Sequence, residues 1–277
     1  MHPALVGRIA RSLHRHRVTV LCLALVVALG GCRGSTGPSA GGLRVLFVGN
    51  SLTSVNDLPR MFAAVAASGG FRVSTGRIVF DDVSLSDHLL RGDAVDAIQE
   101  GDWDYVVMQQ GPSGRPDSRT QLIEATRQFA TVIRAAGATP VLYMVWPDAS
   151  RPTAFDSVSA SYTAAADDVD ALLAPAGDAW IAAWERKATL PLYGNDGFHP
   201  GSLGSYLAAL SLYGVLCDRS PASLDTRPVG VNAVRLRGVS DADLRIAQEA
   251  AAEVTSVLAR KGLCDPGEPT LRAATGR

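Results

Sequence analysis

The chain has 277 residues, 47% of them hydrophobic and 6% aromatic, with a formal charge of −1. This length suits one sizeable α/β domain and is short for two. A near-neutral chain without a basic stripe gives no support to nucleic-acid binding.

Residues 1–31 read as an export signal rather than as fold. Arg8, Arg11, Arg15 and Arg17 form a positive leader, no acid occurs before Asp57, and Val18 to Leu29 is an apolar run. That run is shorter than the ~20 residues a membrane-spanning helix needs, but it fits a signal-peptide core. Leu29-Gly30-Gly31-Cys32 follows and resembles the bacterial lipobox, which implies lipidation at Cys32. Residues 32–42 then read as a flexible tether, 43–264 as the folded domain and 265–277 as a frayed tail. Removing residues 1–31 takes away four arginines and no acids, so the formal charge moves from −1 to −5.

Along the domain, apolar runs alternate with amphipathic stretches. Arg44 to Val48 predicts a buried strand, Leu58 to Ala67 a helix, and Phe71 to Phe80 a second strand. Leu85 to Gln99 predicts one helix, Asp104 to Gln109 a strand, Ser118 to Ala136 a helix, and Pro140 to Val145 a strand. Ser157 to Leu173 reads as helical, Ala179 to Ala183 as a short strand, and Leu203 to Cys217 and Asp241 to Lys261 as the closing helices. Repeated strand–helix alternation implies a parallel sheet covered on both faces. The expected fold is a three-layer α/β/α sandwich with a five-stranded, mainly parallel, flavodoxin-like sheet. Ligands of such sheets sit beyond the carboxyl ends of the strands.

Two motifs fall at that edge. Gly49-Asn50-Ser51 sits where the first strand ends, and Asp196-Gly197-Phe198-His199-Pro200 lies shortly before the last two helices. A serine hydroxyl is a weak nucleophile that needs a base in hydrogen-bond reach and an anion to orient that base. His199 is the candidate base and Asp196 its partner. After removal of the leader only one other histidine remains, His88, within a predicted helix. Taken alone, Gly-Asn-Ser could be a simple turn and Asp-x-x-His a capping pair. Two histidines far apart do not suggest a metal site, and no cofactor-binding loop is evident. Of the cysteines left in the exported chain beyond Cys32, Cys217 and Cys264 form either a disulfide or two buried thiols, and the bridge is the reading taken. Trp146-Pro147, Trp180 and Trp184 fit core or rim packing better than a ligand pocket.

Together these blocks resemble the SGNH/GDSL hydrolase superfamily over roughly Arg44 to Leu216. That family has Gly-Asp-Ser after its first strand and Asp-x-x-His-Pro near its end, so Asn50 stands here where the family has Asp. The resemblance implies Ser51 as nucleophile, His199 as base and Asp196 as its carboxylate. It further implies an oxyanion hole built from the Ser51 N–H, a donor on the second-strand loop and a side-chain donor after the third strand. The family's glycine and asparagine are both missing here, which leaves Val83 or Ser84, and Gln109, Gln110 or Ser113, as candidate donors. The implied activity is ester hydrolysis without cofactor, with an acetylated glycan among the substrates, and the leader and lipobox predict that it acts on the outer side of a membrane. The alternative is a silent surface glycan-binding lipoprotein on the same fold.

Overall fold

The computed structural model describes residues 42–225, 236 and 238–260. The leader, most of the tether with Cys32, the tail and Cys264 lie outside them, so the lipidation and disulfide readings do too. Cys217 is buried at the end of a helix, and burial pushes its thiol up to about 12.

Five strands form one sheet in the order β2-β1-β3-β4-β5. They are β1 (Leu43–Gly49), β2 (Val73–Val79), β3 (Tyr105–Met108), β4 (Thr139–Tyr143) and β5 (Leu172–Ala174). Every pairing is parallel, with Val48 opposite both Ile78 and Met108. The chain leaves β1 for one neighbour and later returns to its other side. The carboxyl end of β1 is therefore the topological switch point, where such sheets open a crevice.

The helices are α1 (Ser51–Ser54), α2 (Leu58–Ser68), α3 (Leu85–Arg91), α4 (Asp93–Glu100), α5 (Pro116–Ala135), α6 (Phe155–Val169), α7 (Ala176–Arg186), α8 (Ser202–Leu216) and α9 (Asp241–Arg260). Helices α2, α7, α8 and α9 pack together as one layer, and α3 to α6 pack as the other. Helix α8 is apolar nearly all round because α2, α7 and α9 enclose it, as expected of a helix without a solvent face. On β1, Val45 to Val48 are fully buried, the signature of a strand covered on both faces.

Two helical readings and one strand reading need correction. The helix expected over Leu85 to Gln99 is two helices, because Gly92 takes a φ of +85° and ends α3 by accepting a left-handed turn. The stretch Ser157 to Leu173 contains both α6 and β5. Asp170, at φ +52°, stops the helix, and Leu172–Ala174 then pairs with β4. Ala179 to Ala183 is helical, inside α7, where Ala176, Ala179, Trp180 and Ala183 share the buried face. Alanine is the strongest helix former, and four of the buried positions in this helix fall at helical spacing.

Candidate active site

The site is built on the turn after β1. Asn50 leaves the strand in an extended conformation, and its side-chain oxygen accepts the Leu52 N–H at 3.1 Å, capping α1. Ser51 is thereby the first residue of a helical turn. Gly49 is required by close approach. A Cβ there would lie 2.5 Å from Gln109 Oε1 and 2.7 Å from Thr53 Oγ1.

Gln109 is the buried clamp beneath this turn. Its Oε1 accepts from the Asn50 N–H at 2.9 Å and the Thr53 hydroxyl at 2.7 Å, and its Nε2 donates to Asn50 Oδ1 at 2.9 Å and Gln110 O at 2.7 Å. A fully buried amide with all its groups satisfied is a rigid support. His88 supports the same turn from α3. Its Nε2–H donates to Gly49 O at 2.8 Å, its ring is fully buried beside Phe80, and its Nδ1 has no partner.

The second half of the site is the loop before α8. Tyr193 and Pro200 form an isolated antiparallel bridge, and Gly194 N–H donates to His199 O at 2.7 Å. One oxygen of Asp196 accepts the backbone N–H groups of Phe198 at 3.0 Å and His199 at 2.9 Å. The other accepts the His199 Nδ1–H at 2.6 Å. These three donors, led by the imidazole, hold the Asp196 carboxyl down to about 2. Because a carboxylate only accepts, Nδ1 carries the proton and Nε2 presents a lone pair. Ser51 Oγ–H donates to that lone pair at 2.9 Å.

Hydrogen-bonded straps fix the loop over the strand ends. Trp146 Nε1 donates to Phe198 O at 3.1 Å, Ala149 N–H to Gly197 O at 2.8 Å, and Tyr193 OH to Pro147 O at 2.6 Å. Asn56 Nδ2 reaches Pro200 O and Ser205 Oγ, both at 3.0 Å, and so ties the segment after Ser51 to the segment after His199. Trp146 and Trp180 are buried and stacked at 3.6 Å, which makes them packing residues behind the loop.

The oxyanion candidates separate by what they already bond. The Ser84 N–H donates to Asp87 Oδ2 at 2.8 Å in a capping box at the start of α3, so it is not a free donor. Gln109 is fully engaged and lies under the turn. Gln110 reaches the cleft wall, but its Nε2 donates to Ser113 Oγ at 3.1 Å and Ser118 O at 3.4 Å, and its Oε1 accepts from Leu85 N–H. The Ser113 hydroxyl donates to Gly111 O at 2.9 Å. Among the described residues, the backbone N–H groups of Ser51 and Val83 have no hydrogen-bond partner and both residues line the cleft. The Asn50 side chain fixes Val83 by donating to its carbonyl at 3.1 Å, a bond that an aspartate could not make. The capping role of Ser84 was legible in Ser84-x-x-Asp87.

The cleft beside Ser51 has a volume of about 620 Å³ and runs from Val83 past Gly111 to Arg151 and Phe198. A hydroxyl activated by an oriented imidazole, with free N–H groups beside it, can attack an electrophilic carbonyl and hold the resulting oxyanion. Among the described residues no group of three or more His, Cys, Asp or Glu is arranged to hold a metal ion.

No protein-family model matches the chain, and no curated protein matches it in sequence. Solved structures do. One from Slackia heliotrinireducens, provisionally described as an SGNH hydrolase, is 30% identical with a TM-score of 0.55, covering 63% of this chain and 99% of that one. A DUF4886 family protein from Bacteroides uniformis is 19% identical with a TM-score of 0.64, covering 76% and 94%. An acetyl xylan esterase is 13% identical with a TM-score of 0.52, covering 62% and 98%. The two less similar structures share the fold.

Proposed function

The chain belongs to the SGNH/GDSL hydrolase superfamily, and from that premise we propose that it is a serine esterase whose Ser51, His199 and Asp196 form the catalytic triad. The observation that carries this reading is the hydrogen bond from Ser51 Oγ to His199 Nε2 at 2.9 Å, with Asp196 on the far side of the ring at 2.6 Å.

In the proposed reaction Ser51 Oγ attacks the ester carbonyl as its proton passes to His199 Nε2. Asp196 stabilises the imidazolium that forms. The carbonyl oxygen becomes an oxyanion held by the N–H groups of Ser51 and Val83. His199 then gives its proton to the leaving alcohol, and water, deprotonated by the same imidazole, releases the acid from the acyl-enzyme. Two N–H donors are the minimum of such a hole, and each can be worth about 2.7–4 kcal/mol of barrier.

An O-acetylated glycan is the substrate class we favour. Support comes by analogy from the acetyl xylan esterase among the structural neighbours and from an open cleft whose lining includes Gln110, Ser113, Ser118 and Gln121. The setting we propose is the outer side of a membrane, anchored through Cys32, on the strength of the leader and the Leu29-Gly30-Gly31-Cys32 motif. Mass spectrometry of the membrane fraction should find lipid on an amino-terminal Cys32, and a chain retaining residues 1–31 would count against it.

A fluorophosphonate probe tests the esterase. Wild-type protein should label at Ser51, labelling should vanish in Ser51→Ala and fall sharply in His199→Ala, and short-chain aryl esters should turn over in parallel. A folded wild-type protein that neither labels nor hydrolyses any ester is instead a silent glycan-binding module.

A further inference from the structure

The charge of the cleft differs from the charge of the molecule. The exported chain carries −5, and a second groove between α6 and α7 is lined by Asp156, Asp167 and Asp178 with no cation. The cleft that holds Ser51 is lined by two arginines, Arg115 and Arg151, against one acid, Asp82.

Among the described residues, five arginines elsewhere on the surface are paired with an acid: Arg44, Arg77, Arg91, Arg127 and Arg186 each lie against a carboxylate. Arg115 and Arg151 form no ion pair among the described residues, and both are exposed. The acid whose charge feels Arg151 is Asp148, and one of its oxygens is taken by the Ser150 N–H at 2.8 Å and hydroxyl at 2.5 Å. Arg115 also stands at the N-cap of α5, a helix of 20 residues with no side-chain cap, where the helix dipole favours anions although Asp117 in the first turn offsets part of that field. A guanidinium offers a planar fork of N–H donors that fits carboxylate and phosphate oxygens in pairs.

We propose that the ester this cleft accepts is carried by an acidic molecule, whose carboxylate or phosphate is bound by Arg115 and Arg151 while the ester reaches Ser51. This deepens the esterase reading and rests on it for the chemical step alone. Within O-acetylated glycans it favours those bearing uronic acids or phosphates over neutral chains such as xylan. Two charge-assisted contacts in one site amount to a preference of about tenfold or more over a neutral isostere.

The test uses the full chain in detergent and three acetylated substrates: a polygalacturonate, glucose 6-phosphate and neutral xylan. Acetate release should give kcat/KM at least about tenfold higher on an acidic substrate than on xylan. The preference should fall with salt, and it should drop about fivefold or more in Arg115→Gln and again in Arg151→Gln. Whether polygalacturonate or the sugar phosphate leads tells carboxylate from phosphate. Calorimetry on Ser51→Ala measures binding without turnover and should show the same order. 4-Nitrophenyl acetate reports the esterase reading by itself. If it is hydrolysed and wild type shows no acidic preference, or the double variant keeps that preference, the anion site is wrong. If no ester is hydrolysed, the esterase reading fails, and the Ser51→Ala binding order still upholds or overturns the anion site.

Discussion

Ser51 and His199 stand 148 positions apart in the chain, yet Oγ and Nε2 are 2.9 Å apart. Beyond that bond, each side chain has its own support. Ser51 is placed by the capped turn on Gln109, and His199 by Asp196 and by the straps from Trp146 and Asn56. Two independently rigid pieces meet at the switch point of the sheet. Such preorganisation holds an imidazole nitrogen within hydrogen-bond reach of a hydroxyl.

Asp196→Asn should separate orientation from presence. The amide can still accept backbone N–H groups with its oxygen, but its NH2 would face the His199 ring and favour the tautomer with the proton on Nε2. That nitrogen could then no longer accept from Ser51. In a serine protease the equivalent change costs about 10⁴ in kcat; here, at a more exposed carboxylate, a loss of about 10²–10⁴ is expected, with KM little changed. The Asp196 carboxyl is held at about 2 against an ordinary 3.8. Its hold on the loop is therefore complete above 3.8 and is lost as pH falls through about 2. The downfield NMR signal of the His199 Nδ1 proton should persist to about pH 3 in wild type and be missing in Asp196→Asn at every pH.

Asn50→Asp, which restores the common family residue, should weaken this protein. The Asn50 Nδ2 donates to Val83 O at 3.1 Å, and the N–H of that same peptide is fixed on Asp87. A carboxylate has nothing to donate and would set its lone pairs against the Val83 carbonyl. Denaturant unfolding should show a loss of about 1–3 kcal/mol. Because Val83 carries a proposed oxyanion donor, kcat on an aryl ester should fall about tenfold or more. Unchanged stability and rate would mean that the Val83 loop is not held by Asn50.

The parts of the site that could be read from sequence are those whose partners are close in the chain. Asp196 and His199 pair across a single turn, and Gly49-Asn50-Ser51 follows an unmistakable buried strand. The hidden parts depend on competition for hydrogen bonds. Whether Ser84, Gln110 or Ser113 can donate to a substrate is decided by Asp87, Ser118 and Gly111, and residue type alone leaves that open. The fold was misread for a similar reason at β5. Three residues, Leu172–Ala174, become a strand because β4 is there to pair with, whereas their own neighbours Ala164–Ala166 and Ala176–Ala183 favour helix. The break at Gly92 was visible as a glycine, but a glycine inside an otherwise helical pattern need not end it.

Gln109→Leu tests the clamp. The substitution keeps the volume and removes the acceptor for Asn50 N–H and Thr53 OH, and the donor for Asn50 Oδ1. The Asn50 N–H and the Thr53 hydroxyl are then left without an acceptor in a buried place where water does not compensate, and Asn50 Oδ1 keeps only the Leu52 N–H. A stability loss of about 2–4 kcal/mol is expected from urea unfolding. Fluorophosphonate labelling at Ser51 should also slow, because the turn that aims the hydroxyl loses its base.

His88 makes the stability of the domain pH-dependent. Its Nε2–H is spent on Gly49 O, and its Nδ1 faces no acceptor in a fully buried setting. Protonation would place a second N–H, and a charge, where nothing receives them. Burial lowers the His88 pKa from 6.5, and the Gly49 carbonyl opposes that shift less strongly than burial drives it. The unfolded chain thus takes up a proton near 6.5, while the folded chain does so only at lower pH. The contribution of His88 is full above 6.5 and declines as pH falls towards the folded value. The unfolding free energy from urea titrations should therefore drop between pH 7.5 and 5.5, by up to about 1.4 kcal/mol per pH unit for one proton. His88→Gln keeps an amide that can donate to Gly49 O and has no titration, so its midpoint should be lower at pH 7.5 but nearly flat over that range. A variant as steep as wild type would show that some other group takes up the proton.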